Sequence, residues 1–392
     1  MDIRLIDYQS TSAAGLNLAE LRIALESQTS GLRKNDFPGS LLKTWIGRVD
    51  QIDDIDLGQW QSRNNALAHI GLQQGQILTH IESLKTRFSA HRLGVIMGSS
   101  TSSIDRTETA YTDLDENGML KPEYQQEKVH NPHAPSLFVS HETGITGPSM
   151  TINTACSSSA KVFASGARWL ESGIVDAGLV GGVDTLCLSV LHGFDSLQLV
   201  SENPCRPLDA QRDGINLGEA AGYAILVRAG ESDEETGIKL VGYGESSDAY
   251  HMSHPHQDGL GAELAMKDAL SMSGLSAEQI DYVNLHGTSS RANDAIEGAL
   301  VARMFPSTTQ CSSTKAWMGH TLGAAGITEA LIAFDAIRTK LIPGSMNLEN
   351  LDEGMNLSVQ SANIHRQVQH VMSNSFGFGG NNCCLVFSAV GA

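Results

Sequence analysis

"SMTINTACSSSAKVFASGARWLESG" (149–173) sets a single Cys between two different patterns. Met150 to Thr154 is apolar and β-branched, which predicts a buried strand. Ser157 to Leu170 carries Ala, Val and Phe at helical spacing and ends near Gly173, which predicts a helix. Cys156 therefore stands at a strand-to-helix corner, where backbone N–H groups and the helix dipole favour a thiolate. A lone Cys is more often a small buried side chain packed beneath a helix. The rest of the chain has to decide between the two.

Composition sets the limits. The chain has 392 residues, of which 41% are hydrophobic and 18% charged, so it is globular with a sizeable core rather than disordered. No stretch has the apolar length of a membrane span, and MDIRLIDYQS has no features of a secretory signal. A cytoplasmic location with reduced thiols is the expectation. The six Cys form no C-x-x-C pair, which argues against structural zinc. A formal net charge of −18 argues against nucleic acid or an anionic membrane as a general partner.

Short apolar runs alternate with helical stretches: "LGVIMG" (93–98), "AGLVGG" (177–182), "GYAILV" (222–227), "IKLVGYG" (238–244) and "YVNLHG" (282–287). That alternation predicts an α/β protein whose sheets are covered by helices. The acidic stretch "RAGESDEETG" (228–237) divides the chain into two parts with the same pattern.

Three further stretches carry chemistry. "NLHGTSS" (284–290) puts His286 after a strand-like run and follows it with hydroxyls. "STKAWMGHTLGAAGITEAL" (313–331) offers Lys315, His320 and Glu329, and "SNSFGFGGNN" (373–382) is a glycine-rich turn with two Phe. Singly, each has a plain structural explanation: a core His, a solvated Lys, a tight turn. Together they suit acyl transfer, which needs an activated nucleophile and donors where an oxyanion develops. A carbanion formed by decarboxylation needs neutral imidazoles donating to a thioester oxygen. Cys156, His286 and His320 supply that set, with Lys315 and Glu329 able to order the surroundings of His320.

In order and spacing these motifs resemble the elongating, Cys-His-His β-ketoacyl-acyl carrier protein synthases over nearly the whole chain. "GPSMTINTACSSSA" (147–160) resembles the nucleophile segment, and "RPLDAQRDGINLGEAAGYAILV" (206–227) resembles the block after it. "SSDAYHMS" (246–253), "HGTSS", "KAWMGHTLGAAG" and "NSFGFGG" resemble the pantetheine-entrance loop, the two His motifs and the gating turn. The resemblance implies a thiolase-like fold of two similar halves, 1–232 and 233–392, in a layered αβαβα arrangement. It implies an acyl chain carried on Cys156, enolate stabilisation by His286 and His320, and an oxyanion hole from the N–H groups of Cys156 and Phe378. Phe376 and Phe378 then lie in the gate, and Ser253, Thr288 and Ser290 lie along the pantetheine arm.

The same resemblance implies no cofactor of its own, substrates delivered on the phosphopantetheine arm of an acyl carrier protein, and a dimeric state. The mate is either identical or a chain-length-factor-like subunit. Arg63 and Arg206 are the expected docking cations, and "NPHAPSLFVSHETG" (131–144), with His133, His141 and the adjacent His130, borders the expected acyl tunnel.

Some features depart from the family pattern. "HGTSSRANDAIE" (286–297) replaces the commoner HGTST-x-x-GD, and Cys383 and Cys384 in "NNCCLVF" read as small strand residues. "SHPHQDG" (253–259), with His251, His254 and His256, could suggest a metal, but only Asp258 is available as a further ligand, so no metal site is expected. A degradative thiolase would carry a second Cys where Phe376-Gly377-Phe378 stands, an initiating synthase Asn in place of His320, and a non-catalytic chain-length factor would lack the nucleophile. "SRNNALAHIGLQ" (62–73) and "VIMGSSTSSIDRTE" (95–108) resemble ketosynthases of bacterial aryl polyene pigment clusters. The alternative is housekeeping fatty-acid elongation.

Overall fold

The computed structural model describes residues 2–124, 126–231 and 236–392. Ten strands form its main sheet: β1 (Ile3–Ser12), β2 (Leu93–Gly98), β3 (Ser149–Ile152), β4 (Ala177–Asp184), β5 (Ala220–Arg228), β6 (Ile238–Ser247), β7 (Tyr282–Asn284), β8 (Gln310–Ser312), β9 (His370–Gly377) and β10 (Asn381–Ala389). Their spatial order is β3-β2-β4-β5-β1-β6-β10-β9-β7-β8. Read inward from each edge, both halves run third, second, fourth, fifth, first. The hydrogen-bonding sense repeats as well. β3, β2 and β4 are parallel, as are β8, β7 and β9, and the remaining pairs within each half are antiparallel. The duplication that is faint in the sequence is plain in the topology.

The halves meet along one short seam, where Ile3 pairs with Leu240 and Arg4 with Lys239. The expected division between residues 232 and 233 lies outside the described residues. Two helices fill the middle layer, α1 (Ser158–Glu171) and α2 (Ala325–Thr339). Ala160, Phe163 and Leu170 of α1 share one core with Ile327, Leu331 and Phe334 of α2. Ile96, Val180 and Leu226 join that core from the first half, and Val371, Leu385 and Phe387 from the second.

Alternate residues face the other way, as the period of two requires. Val95, Met97, Leu179, Ile225 and Val227 pack beneath the helices Arg63–Leu72 and Ile77–Phe88. Met372, Cys384 and Val386 pack beneath Leu260–Ser273 and Arg291–Met304. Strands buried on both faces read as unbroken apolar runs, which is why they stood out in the sequence. Cys383 faces the inner core and Cys384 the outer one, as expected of small strand residues.

The predicted strand over 150–154 is Ser149–Ile152, and the predicted helix over 157–170 is Ser158–Glu171. Asn153 and Thr154 leave the strand because the chain must turn sharply into Cys156. The helix Ala134–Thr143 also differs from expectation, since its Phe138 and Val139 fill the outer core of the first half. His141 stacks on Trp60 with ring centres 5.4 Å apart, and His130 meets the Thr107 hydroxyl at 3.0 Å.

The middle layer depends on a close helix crossing. A Cβ built on Gly326 would lie 2.4 Å from the Ala160 amide nitrogen and 2.8 Å from its Cβ. The Ile327 N–H donates to Ser159 Oγ at 2.8 Å across the same crossing. Gly326→Ala should therefore force the two helices apart and cost about 1–3 kcal/mol, as overpacking of a tight core does. Urea unfolding of the variant against wild type measures the loss.

Candidate active site

The corner that carries Cys156 is built by its neighbours. Ala155 adopts φ 53°, a left-handed conformation unusual for a residue with a side chain. Three hydroxyl contacts hold it there. Ser158 Oγ accepts from the Thr154 N–H at 2.9 Å and donates to the Ala155 carbonyl at 2.6 Å, while Ser157 Oγ donates to the Thr154 carbonyl at 2.9 Å. The serine run after the Cys is thus the brace of the turn.

His320 arrives from the segment just before α2. Its N–H donates to the Asn216 carbonyl at 2.7 Å, and its own carbonyl accepts from the Gly218 N–H at 3.0 Å. Pinned on both sides, it sets Nε2 3.0 Å from Cys156 Sγ. His286 follows β7, and its ring lies 5.4 Å from that of His320 at 85°. One ligand-type atom from each of Cys156, His286 and His320 falls within a 4.8 Å cluster, the one group of three His, Cys or carboxylate side chains this close among the described residues.

Two buried carboxylates hold this geometry, and the sequence reading missed both. Glu297 accepts the N–H groups of His286 and Gly287 at 2.9 and 2.8 Å, and Asn374 Nδ2 at 3.1 Å. Asp184 accepts from Ser99, Ser100 and Thr101 of the loop after β2, and from the Gly323 N–H at 2.6 Å. Glu297 did have a signal, since it lies eleven residues after His286 and one face along a helix. Lys315 Nζ donates to the His286 carbonyl and pairs with Glu329, all three groups being buried. The Lys315–Glu329 pair therefore bears on His286 directly, whereas the sequence reading placed it around His320.

Desolvation governs the charge states. Both imidazoles are held well below the ordinary His range, first by burial and then by the Lys315 charge. They are neutral near pH 7. Burial pushes Glu329 up to about 7 against the pull of Lys315. Burial also pushes the Cys156 thiol up to about 11, while Lys315 and the Phe378 amide draw it down. This corrects the thiolate expected from the helix terminus. In the resting chain Cys156 is a neutral thiol hydrogen-bonded to His320.

Phe376 stands against His286, 5.9 Å between ring centres, and Phe378 stacks on Phe194 at 5.6 Å and 29°. The turn between them and β10 is anchored through Gly379 N–H to the Met252 carbonyl at 2.8 Å. A cavity of about 450 Å³ reaches Cys156, His286 and His320, and Ser253, Thr288 and Ser290 all line it. A second cavity of about 480 Å³ meets Cys156 on the far side of the Phe194–Phe378 stack, lined by Ser100, Thr101, Ile104, Gly193 and Leu322 among others. The segment 131–144 lines neither.

Two further expectations change. Arg63 is largely buried, its guanidinium bonded to Glu219 at 2.7 and 2.8 Å and also to Asp53, so it braces the fold and is not a free docking cation. Arg206 is half-buried, its N–H donating to Ser289 Oγ at 2.9 Å. In the histidine loop, His251 and His254 approach to 3.2 Å, while His256 Nδ1 accepts the Asp258 backbone N–H.

Residues 25–232 match the family described as "Beta-ketoacyl synthase, N-terminal domain", and residues 238–349 match its C-terminal domain. The chain belongs to the β-ketoacyl synthase family. It is an acyltransferase with the thiolase-like fold. The "3-oxoacyl-[acyl-carrier-protein] synthase 2" of Vibrio cholerae is 36% identical over 86% of each chain. Nodulation protein E of Rhizobium meliloti is 34% identical over 77% of each chain. Among solved structures, the ketosynthase ApeO in complex with its chain length factor ApeC, from Xenorhabdus doucetiae, shares 34% identity and a TM-score of 0.87, covering 99% of this chain and 98% of its own. No helix among the described residues is long and apolar enough to cross a membrane.

The charge state of Cys156 has a direct test. Alkylation by iodoacetamide should select Cys156, because it lines both cavities described above and none of the other five Cys lines either. Its rate should still be rising above pH 9, as expected of a thiol held near 11. Mass-spectrometric rates across that range check this, and a plateau below pH 8 would show a resting thiolate.

Proposed function

We propose that the chain catalyses decarboxylative Claisen condensation of malonyl-acyl carrier protein with an acyl group held on Cys156. The observation that carries this reading is the buried contact of Cys156 Sγ with His320 Nε2 at 3.0 Å, beside a second neutral imidazole, where two cavities meet. Sγ attacks the incoming acyl thioester and passes its proton to His320, which returns it to the departing carrier sulfur, so that the carrier leaves as a thiol and His320 is neutral again. Malonyl-carrier protein then enters the cavity lined by Ser253, Thr288 and Ser290. His286 and His320 donate to its thioester oxygen as carbon dioxide departs. The carbanion attacks the acyl carbonyl, the new C–C bond forms, and the C–S bond to Cys156 breaks, the sulfur leaving as a thiolate that takes a proton from solvent to restore the resting thiol. The amides of Cys156 and Phe378 receive the oxyanion of that step.

Neutral imidazoles suit this role, because a protonated one has already lost the lone pair needed to accept the Cys156 proton. The names of the Vibrio cholerae and Vibrio harveyi relatives support carrier-protein substrates. Cys156→Ala should abolish acylation altogether. His286→Ala should still acylate but lose malonyl decarboxylation by on the order of a hundredfold or more, the usual cost of one oxyanion donor. Separate assays of acyl loading and carbon dioxide release check both, and unimpaired decarboxylation in His286→Ala and in His320→Ala would defeat the assignment.

For pathway and partner, we read the chain as an aryl polyene ketosynthase that works with a chain-length-factor-like mate. Its likeness to ApeO, which is described in complex with such a factor, supports this. β3 is an edge strand with all four residues half-exposed, and Tyr111, Met119 and Leu197 are exposed apolar side chains on the same half. The second cavity is bounded by Gly193, Ser196 and Leu197, all exposed, so a mate over this face would close it. The names of the Vibrio relatives favour fatty-acid elongation by a homodimer instead. Mass analysis of the chain alone and with a candidate factor separates them, and an active homodimer preferring saturated acyl chains would defeat the polyene reading.

A further inference from the structure

The mouth of the cavity leading to Cys156 carries a cation that the fold does not explain. Arg291 is exposed, lines that cavity, and is the first residue of the helix Arg291–Met304. A positive charge in a first turn opposes the helix dipole, which favours anions there. Among the described residues its guanidinium has no hydrogen-bond or ion-pair partner. Its backbone is nevertheless fixed. The Arg291 carbonyl accepts Arg212 Nη2 at 3.1 Å, and Arg212 is buried and bonded to Asp352 at 2.6 Å.

The acidic groups of the same cavity are occupied. Asp213 accepts from Ser201 Oγ at 2.6 Å and Asn203 Nδ2 at 3.1 Å. Asp248 accepts from Asn382 Nδ2 at 2.7 Å and the His256 N–H at 3.0 Å. In a chain of net charge −18, Arg291 is the one Lys or Arg among the described residues that line this cavity, and both of the cavity's carboxylates are already held by neutral donors. Behind it lie the hydroxyls of Thr288 and Ser290, which bond each other at 2.9 Å, and behind those the reactive Cys156.

We propose that Arg291 binds the phosphodiester of the carrier protein's phosphopantetheine arm and thereby sets affinity for carrier-borne thioesters. This rests on the function proposed above. The arm bears its anion at the outer end, amides along its length and the thioester at its tip, matching the order cation, hydroxyls, nucleophile. A planar guanidinium offers a phosphate two parallel N–H donors, which an ammonium does not. Because the contact lies far from the reacting bonds, it acts on binding and leaves the chemical step alone.

The test compares two thioesters of one acyl group, on pantetheine and on phosphopantetheine, as acyl donors to Cys156 followed by mass spectrometry. Wild type should favour the phosphorylated donor in kcat/KM by about tenfold or more, as a charge-assisted contact gives. Arg291→Ala should lose that preference through KM, leave kcat and the pantetheine reaction unchanged, and Arg291→Lys should keep part of it. With acyl-carrier protein as donor, Arg291→Ala should show the same KM rise and a shallower salt dependence. Equal use of both donors by wild type, or a preference that survives in Arg291→Ala, would overturn the assignment while acylation of Cys156 continued. Failure of wild type to acylate Cys156 from any donor would overturn the proposed function and this inference together.

Discussion

The contact of Gly326 with Ala160 is the constraint on which the rest depends. It lets α1 and α2 cross at backbone distance between the two halves. Cys156 immediately precedes α1, and His320 lies a few residues before α2. The crossing therefore delivers nucleophile and imidazole to one point without any loop having to reach. The left-handed turns at Ala155 and Leu322, φ 53° and 56°, are local distortions that this placement requires. Such strain persists only where the surrounding packing fixes it, and here both flank the buried helix crossing.

Burial on this scale makes every charge expensive, so the site keeps its reacting groups neutral and spends its few charges on the backbone. Glu297 holds two consecutive amides at His286, Asp184 ties the loop after β2 to Gly323, and Lys315 holds the His286 carbonyl. Each satisfies backbone groups that would otherwise be buried without partners, at a cost of about 1–3 kcal/mol apiece. The imidazoles are left with neutral rings, since desolvation and the Lys315 charge both oppose a proton there. A single lysine thus fixes the position of one histidine and adds to the burial that keeps both of them uncharged.

Much of this could be read from the chain because the strands are buried on both faces and the reactive residues sit at strand ends. "LGVIMG" and "GYAILV" are unbroken apolar runs for that reason, and Cys156, His286 and His320 each adjoin a glycine-rich or small-residue turn. What could not be read is how side chains pair across distant elements. Arg63 looks like a surface cation in a polar stretch, but its partner Glu219 is 156 residues away and buried. The thiolate expected of Cys156 failed for a related reason, because a helix terminus is visible in sequence and the depth of its burial is not. The spacing of Glu297 from His286 is visible in the sequence, but the backbone amides it binds leave no mark on residue type.

The two cavities share one nucleophile, and the Phe194–Phe378 stack stands between them. In the condensation proposed above, an acyl chain on Cys156 would extend away from the hydroxyl-lined cavity, since that space would have to admit the malonyl arm in the next step. The second cavity, which also reaches Cys156 and is lined in part by Phe194 and Phe378, is the available direction. Phe378 also supplies the amide beside Sγ, within the segment whose glycines at 379 and 380 have φ 78° and 73°. The ring that lines both cavities and the amide beside Sγ therefore belong to one short turn.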